Sequence, residues 1–170
     1  MSIDKWKQWL EVATNVAILM VCLLVAVIGV KKFLLSDSGG DTGGAAKGAQ
    51  ISIAGVDWSR ADRTLVLVLN THCHFCRDSA EFYKKLLPEA SAQKMQIVAV
   101  LPQPPQESRQ YLASLGISMS SVGVQQAPME DAQASGTPTL ILANNNGQVV
   151  RAWVGKLPAR GEADVWKAIH

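Results

Sequence analysis

Two cysteines separated by two residues, Cys73 and Cys76, are the side chains best suited to covalent chemistry. They lie in Thr71-His72-Cys73-His74-Phe75-Cys76, directly after the apolar run Leu65-Val66-Leu67-Val68-Leu69 and directly before a helical pattern. A side chain at a strand-to-helix junction meets unpaired backbone N–H groups and the positive end of the helix dipole, both of which favour an anion. The thiolate is the reactive form of cysteine, so the position makes Cys73 the candidate nucleophile. Cys76, one turn further on, is close enough to attack a mixed disulfide formed at Cys73 and is the candidate resolving thiol. A structural disulfide gains most by closing a long loop, and a two-residue spacing gains little. The pair therefore points to redox or metal chemistry.

Two histidines and a proline complete the set. A protonated His74 would stabilise a Cys73 thiolate and push the couple towards oxidant, and His72 could act alike; both are candidate tuning residues. Some sixty residues on lies Gly136-Thr137-Pro138-Thr139, at the mouth of a second apolar run. Pro138 is a candidate for a cis peptide, which would turn the Thr137 backbone towards the cysteines. The Thr137 N–H and C=O could then pair with an extended substrate segment, making Thr137 and Pro138 candidate substrate-binding residues. The duller alternative is an ordinary trans proline at a strand start.

Rival chemistries use the same residues. His72, Cys73, His74 and Cys76 are ligands suited to copper(I) or zinc, as in a metal chaperone. Packed so tightly, they cannot surround one tetrahedral ion without an outside ligand, and no second Cys-x-x-Cys or His pair exists for a structural zinc site. Haem attachment requires His after the second cysteine, where Arg77 stands. A peroxidase and a binding module with idle cysteines complete the alternatives.

The elements that must position these groups follow from the rest of the chain. Its 170 residues carry a net charge of +2 and 48% hydrophobic residues, room for one ordinary domain with accessories. No run of Lys or Arg resembles a nucleic-acid footprint, so no nucleic-acid partner is expected. Residues 12–30 are almost entirely apolar, then Lys31-Lys32 and Phe33-Leu34-Leu35 follow. About 20 helical residues cross the ~30 Å hydrocarbon core of a bilayer. Residues 12–35 suffice if the two lysines snorkel to the far interface, with Trp6 and Trp9 in the near headgroup region. We expect residues 1–35 to be an uncleaved membrane anchor, against the alternatives of a cleaved signal peptide or a buried helix. The remaining cysteine, Cys22, then reads as a small apolar residue within the membrane. Residues 36–50 read as a Gly-rich flexible linker with no large apolar group to bury.

The head is expected over 51–170. Strands are predicted at 51–53, 64–70, 96–101, 121–124, 139–143 and 149–154, and helices at 74–87, 107–115 and 160–170, with a helical turn near 128–135. Pro88 is expected to end the first helix, and Gly116 the second. Asn144-Asn145-Asn146-Gly147 predicts a hairpin. Val165, Trp166 and Ile169 form the buried face of the last helix. Strands alternating with helices imply parallel pairing, and the hairpin adds antiparallel strands. The expected fold is α/β: one mixed sheet with helices on both faces.

The Thr71–Cys76 motif, the helix after it and Gly136-Thr137-Pro138-Thr139 together resemble the thioredoxin superfamily. Within it the chain is most similar to membrane-anchored bacterial thiol–disulfide oxidoreductases of the kind that reduce cytochrome c precursors. The resemblance covers roughly 51–170. It implies a thioredoxin-like fold with a cis Pro138, Cys73 as attacking thiol and Cys76 as resolving thiol. It implies thiol–disulfide exchange with protein thiols or disulfides, without a cofactor, and recharging by a membrane or periplasmic redox partner. It also implies a single-pass protein of the bacterial inner membrane, anchored in the lipid bilayer by its N-terminal helix, with the head in the periplasm. The sequence departs from thioredoxins proper in three places. His72 stands where they carry Trp, His74-Phe75 where they carry Gly-Pro, and Leu67 near the position of their buried acid.

Overall fold

A computed structural model describes Trp9, Val16, residues 18–23 and residues 44–170. The described residues before 44 are helical and exposed. Most of the expected span over 12–35 and the linker residues 36–43 lie outside the described residues. Among the described residues no helix is long and apolar enough to cross a membrane. The chain divides into two compact units, Met1–Ser38 and Gly39–His170; the second carries the sheet.

The centre of that sheet is β1 (Arg63–Val68). Leu65, Val66, Leu67, Val68 and Leu69 are each at most 1% exposed, as a strand covered on both faces requires. Parallel to it runs β2 (Gln96–Leu101), which pairs in turn with β3 (Gly123–Gln126), also parallel. On its other side β4 (Thr139–Asn144) runs antiparallel, followed by β5 (Val149–Val154). The order is β3-β2-β1-β4-β5.

The alternation along β1 sorts the core into two layers. Leu65, Leu67 and Leu69 face one layer with Ile97, Leu101, Leu140 and Leu142. This layer receives all the buried apolar side chains of the longer helices, α2 (Ala80–Ala92), α3 (Pro105–Ser114) and α4 (Ala159–Ile169). Val66 and Val68 face the other with Val98, Val100 and Ile141. There the cover is Ile51, Ile53, Trp58 and Ala132, from segments bearing 3-10 turns at Trp58–Arg60 and Met129–Ala132. The α-helices expected on both faces thus lie on one, and shorter turns close the second.

The hairpin forms as its Asn-Gly sequence predicts. Asn144 Oδ1 accepts the N–H groups of Asn146 and Gln148, each at 3.0 Å. Gly147 has φ +75°, and a Cβ there would lie 3.0 Å from the Trp58 ring and 3.1 Å from the Ile51 carbonyl oxygen. Only glycine meets both demands.

Other expectations are corrected. The helix predicted over 74–87 is two: α1 (His74–Asp78) and α2, divided at Ser79. The Ser79 hydroxyl donates to the Phe75 carbonyl at 2.8 Å, the i−4 back-bond that bends helices. Pro88 does not end α2, which continues to Ala92. Residues 51–53 are not a strand. Ile51 and Ile53 are buried, but their segment bonds to turns, Ile51 N–H to Gly147 O (2.9 Å) and Ser52 N–H to Asp131 O (3.4 Å). Residues 44–50, read as linker, are docked on the hairpin. Gly48 N–H donates to Val149 O (2.7 Å), Val149 N–H to Ala49 O (2.9 Å), and Ala45 is buried. A Cβ at Gly44 would sit 2.8 Å from a Val154 methyl, so the small residues there permit close approach.

Helix α4 is tied down by polar contacts. Trp153 Nε1–H donates to Asp164 Oδ2 at 2.8 Å, and the Arg151 guanidinium lies 3.1 Å from Asp164 Oδ1. Arg63 donates to the last carbonyls, Ala168 O and Ile169 O, at 3.2 and 3.0 Å, as a cation at a helix C-terminus should. Trp166 is half-buried rather than a core residue, its ring edge-to-face with Phe82 at 5.8 Å between centroids. Trp166→Ala should therefore cost about 2 kcal/mol, below the range for a fully buried Trp. Asp164→Ala should cost about 1–3 kcal/mol, since it strands the Trp153 donor. Denaturant unfolding checks both; losses well under 0.5 kcal/mol, roughly the scatter of neutral surface changes, would show that α4 is not docked this way.

Candidate active site

The ends of β1 and β4 meet by register. Val68, the last residue of β1, pairs with Thr139, the first of β4. The loop leaving β1 and the loop entering β4 therefore emerge at one edge of the sheet. The first carries Cys73, and the second carries Pro138, whose peptide bond to Thr137 is cis. Cys73 Sγ lies 3.3 Å from the Thr137 carbonyl oxygen. These two regions, sixty-four residues apart in sequence, are thus in contact.

Cys73 and Cys76 are joined as a disulfide. Cys73 is the N-cap of α1, with extended backbone, and its Sγ accepts the Cys76 N–H at 3.1 Å. That bond uses one of the donors left free at a helix start. The two residues differ in access: Cys73 is half-buried, whereas Cys76 is 0% exposed.

The loop before Cys73 is pinned by Asn70. Its carbonyl accepts the Cys73 N–H at 3.0 Å, and its side-chain oxygen accepts the His72 N–H at 2.9 Å. Opposite, Pro138 is buried and its carbonyl accepts the Gly155 N–H at 2.7 Å. Thr139 Oγ1 donates to Gly136 O at 2.7 Å. The Thr137 N–H has no hydrogen-bond partner among the described residues.

The histidines sit on the solvent side. His72 is exposed, with Nδ1 3.2 Å from Thr71 Oγ1, which donates to Glu107 at 3.1 Å. The His74 side chain is 69% exposed and its Nε2 lies 3.5 Å from Asp78 Oδ2, which also meets Lys156 Nζ at 3.2 Å. The four candidate metal ligands do not converge. Among the described residues no three His, Cys, Asp or Glu side chains gather as a metal set.

Among the described residues the core behind the disulfide holds no carboxylate. Leu67 is 1% exposed, and the buried polar residues among those described are Thr64, Ser79, Ser108 and Thr139. Two phenols, Tyr83 and Tyr111, lie in or against the helical layer. Burial pushes Tyr83 well above its ordinary value, offset in part by the Ser79 hydroxyl. Burial likewise raises Tyr111, whose hydroxyl has no partner. Both stay neutral at physiological pH.

Three features escaped the sequence reading: the exposure of Phe75 (55%) beside the disulfide, the Asp78–Lys156 pair, and the Asn70 loop contacts. A large apolar residue between the two cysteines was the available signal for the first; the others are long-range or conformational.

No protein-family model matches the chain, and no curated protein matches it in sequence. Solved structures do. A candidate thiol:disulfide interchange protein DsbE from Chlorobium tepidum is 22% identical, with a TM-score of 0.53 over 76% of this chain and 99% of that one. A thioredoxin-family thiol:disulfide interchange protein from Chlorobium tepidum TLS is 17% identical, with a TM-score of 0.54 over 74% and 99%. The thioredoxin domain of a thiol-disulfide oxidoreductase from Bacteroides vulgatus is 17% identical, with a TM-score of 0.53 over the same shares. By its sheet order and this likeness, the chain has a thioredoxin-like fold, with a Cys73–Cys76 disulfide at the N-terminus of α1.

Proposed function

We propose that this protein exchanges thiols and disulfides with protein substrates through Cys73 and Cys76, from a head tethered to the bacterial inner membrane. The observation that carries the reading is the unequal access of two bonded cysteines, Cys73 half-buried and Cys76 0% exposed. A partner would therefore meet the pair at Cys73, and Cys76 would act from within, on Cys73.

The chemistry balances in two steps. As a reductant, the Cys73 thiolate attacks one sulfur of a substrate disulfide, forming a mixed disulfide and releasing the first substrate thiolate, which takes a proton. Cys76 then gives up its proton and attacks Cys73 Sγ, expelling the second substrate thiolate and leaving the Cys73–Cys76 disulfide. Two electrons pass to the substrate; the reverse sequence oxidises a dithiol. The Cys76 N–H stabilises negative charge on Cys73 Sγ in both directions. A substrate strand lying along Thr137 would find its free N–H and the carbonyl beside Cys73, with Pro138 holding that backbone in place. Phe75 offers such a strand an apolar neighbour.

The tether rests on the apolar run 12–30 with its flanking Trp and Lys residues. Residues 1–35 act as the anchor, and a short linker joins them to the head. The head faces the periplasm, where disulfides persist and where a membrane or periplasmic redox partner would recharge the pair.

Cys73→Ser should abolish turnover of a protein disulfide, and Cys76→Ser should accumulate mixed disulfides visible on non-reducing gels. A wild-type protein whose two thiols both stay alkylatable after mild oxidation overturns the proposal. Phe75→Ser should raise the KM for a protein substrate about fivefold, the worth of roughly half a buried Phe, while leaving the rate with a small dithiol unchanged; equal loss on both substrates would remove Phe75 from the docking surface. Removal of residues 1–35 should move the protein from the membrane to the soluble fraction. Persistence in the membrane pellet after alkaline washing would refute the anchor.

A further inference from the structure

Gln103 reaches the loop that carries Cys73 from a neighbouring strand. It follows β2 in Pro102-Gln103-Pro104, where the flanking prolines restrict its backbone. Its carbonyl accepts the Ser108 hydroxyl at 3.1 Å, and Ser108 is 0% exposed in α3. The main chain of Gln103 is thus fastened to the buried layer. From that base its side chain spans to the adjacent loop. Nε2–H donates to Asn70 Oδ1 at 3.2 Å, and Oε1 accepts the Thr71 N–H at 3.5 Å. Asn70 Oδ1 in turn accepts the His72 N–H, and Asn70 O accepts the Cys73 N–H.

We propose that Gln103 is a positioning residue for the Cys73 nucleophile. It fixes the Asn70 amide, and through it the 70–73 loop, so that Cys73 Sγ stays where the Cys76 N–H meets it. The inference rests on Cys73 being the attacking thiol. A primary amide suits the place because it supplies a donor to Asn70 and an acceptor to Thr71 at once. Without it the Asn70 side chain keeps one partner and the loop is free to swing. The N–H···S bond at Cys73 is then made for only part of the time. Its stabilisation of the thiolate falls, so the neutral-pH reactivity of Cys73 falls, and the pH profile moves upward. At high pH, where the thiolate is complete, the difference closes. A residue that served only stability would lower the unfolding midpoint and leave the profile of the folded protein in place.

The test follows alkylation of Cys73 by iodoacetamide, read by mass spectrometry of its peptide, across pH in the reduced full-length protein. Gln103→Met keeps the volume of the side chain and removes both hydrogen bonds. It should slow Cys73 about fivefold at pH 7, the weight of one net hydrogen bond, with the rates converging above pH 9. Asn70→Ala should slow it at least as much, and adding Gln103→Met to that variant should change nothing more, since the two act through one contact. Superimposable wild-type and Gln103→Met profiles overturn the proposal, as do fully additive effects or a fall in unfolding midpoint with no change in profile. The outcome is separable from that of the exchange reading. A wild-type pair that cannot be reduced and reoxidised defeats both, whereas a cycling wild type beside a silent Gln103→Met variant defeats the positioning role alone.

Discussion

The antiparallel pairing of β1 with β4 is the constraint on which the rest depends. Because Val68 lies opposite Thr139, the chain leaving one strand and the chain entering the other emerge side by side. The parallel pairing of β1 with β2 brings the loop after Leu101 to the same edge. Three segments distant in sequence, 69–73, 102–104 and 136–138, therefore share one rim of the sheet. A one-residue slip of β4 would turn Leu140 and Leu142 from the helical layer into the valine layer, so hydrophobic packing enforces the register that builds the site. The burial of Leu65 to Leu69 thus helps to place the disulfide.

What was legible in the sequence was whatever the local pattern determines. Continuous apolar runs marked β1, β2 and β4 because strands covered on both faces show no alternation. The Asn-Gly hairpin was legible because its backbone conformation is nearly a property of those residues. Ile51-Ser52-Ile53 misled for an instructive reason. Its alternation correctly reports two buried side chains, but burial says nothing about where backbone groups find partners. Those partners are turns supplied by Gly147 and Asp131, invisible to any local window. The small residues of 44–50 misled in the opposite way. Smallness is equally the signature of flexibility and of close approach, and only the position of the Val154 methyl separates the two.

The site divides in the same manner. The Cys73–Cys76 pair and the cis bond at Pro138 were legible because Cys73 follows a strand, Cys76 comes one turn later and Pro138 precedes a strand, where type and spacing carry meaning. That the Cys76 sulfur is inaccessible was not, since it depends on how α1 meets the helical layer. Nor was the division of the helix at Ser79, where a hydroxyl back-bond to Phe75 outweighs the helical propensity of the residues around it. That bend separates the short turn bearing both cysteines from the long helix that buries Phe82, Tyr83 and Leu86. The reactive turn and the core helix answer to different demands.

The absence of a carboxylate from the buried residues described decides how charge is managed at the disulfide. Leu67 and the neutral phenols of Tyr83 and Tyr111 offer no group that takes up a proton at physiological pH. In the exchange proposed above, a proton leaving Cys76 would therefore pass towards the solvent side, to the departing substrate thiolate. The histidines are poor substitutes for a buried acid. The His74 ring is 69% exposed and already faces Asp78, so water and salt screen whatever charge it bears. What remains to stabilise a thiolate at Cys73 is a fixed backbone donor, the Cys76 N–H at 3.1 Å. A dipole of that kind acts only at contact distance and in the right direction. If Cys73 attacks as proposed, precision in the 70–73 loop would take the place of buried charge, which gives the residues that hold the loop a claim on the chemistry beside those that surround the sulfur.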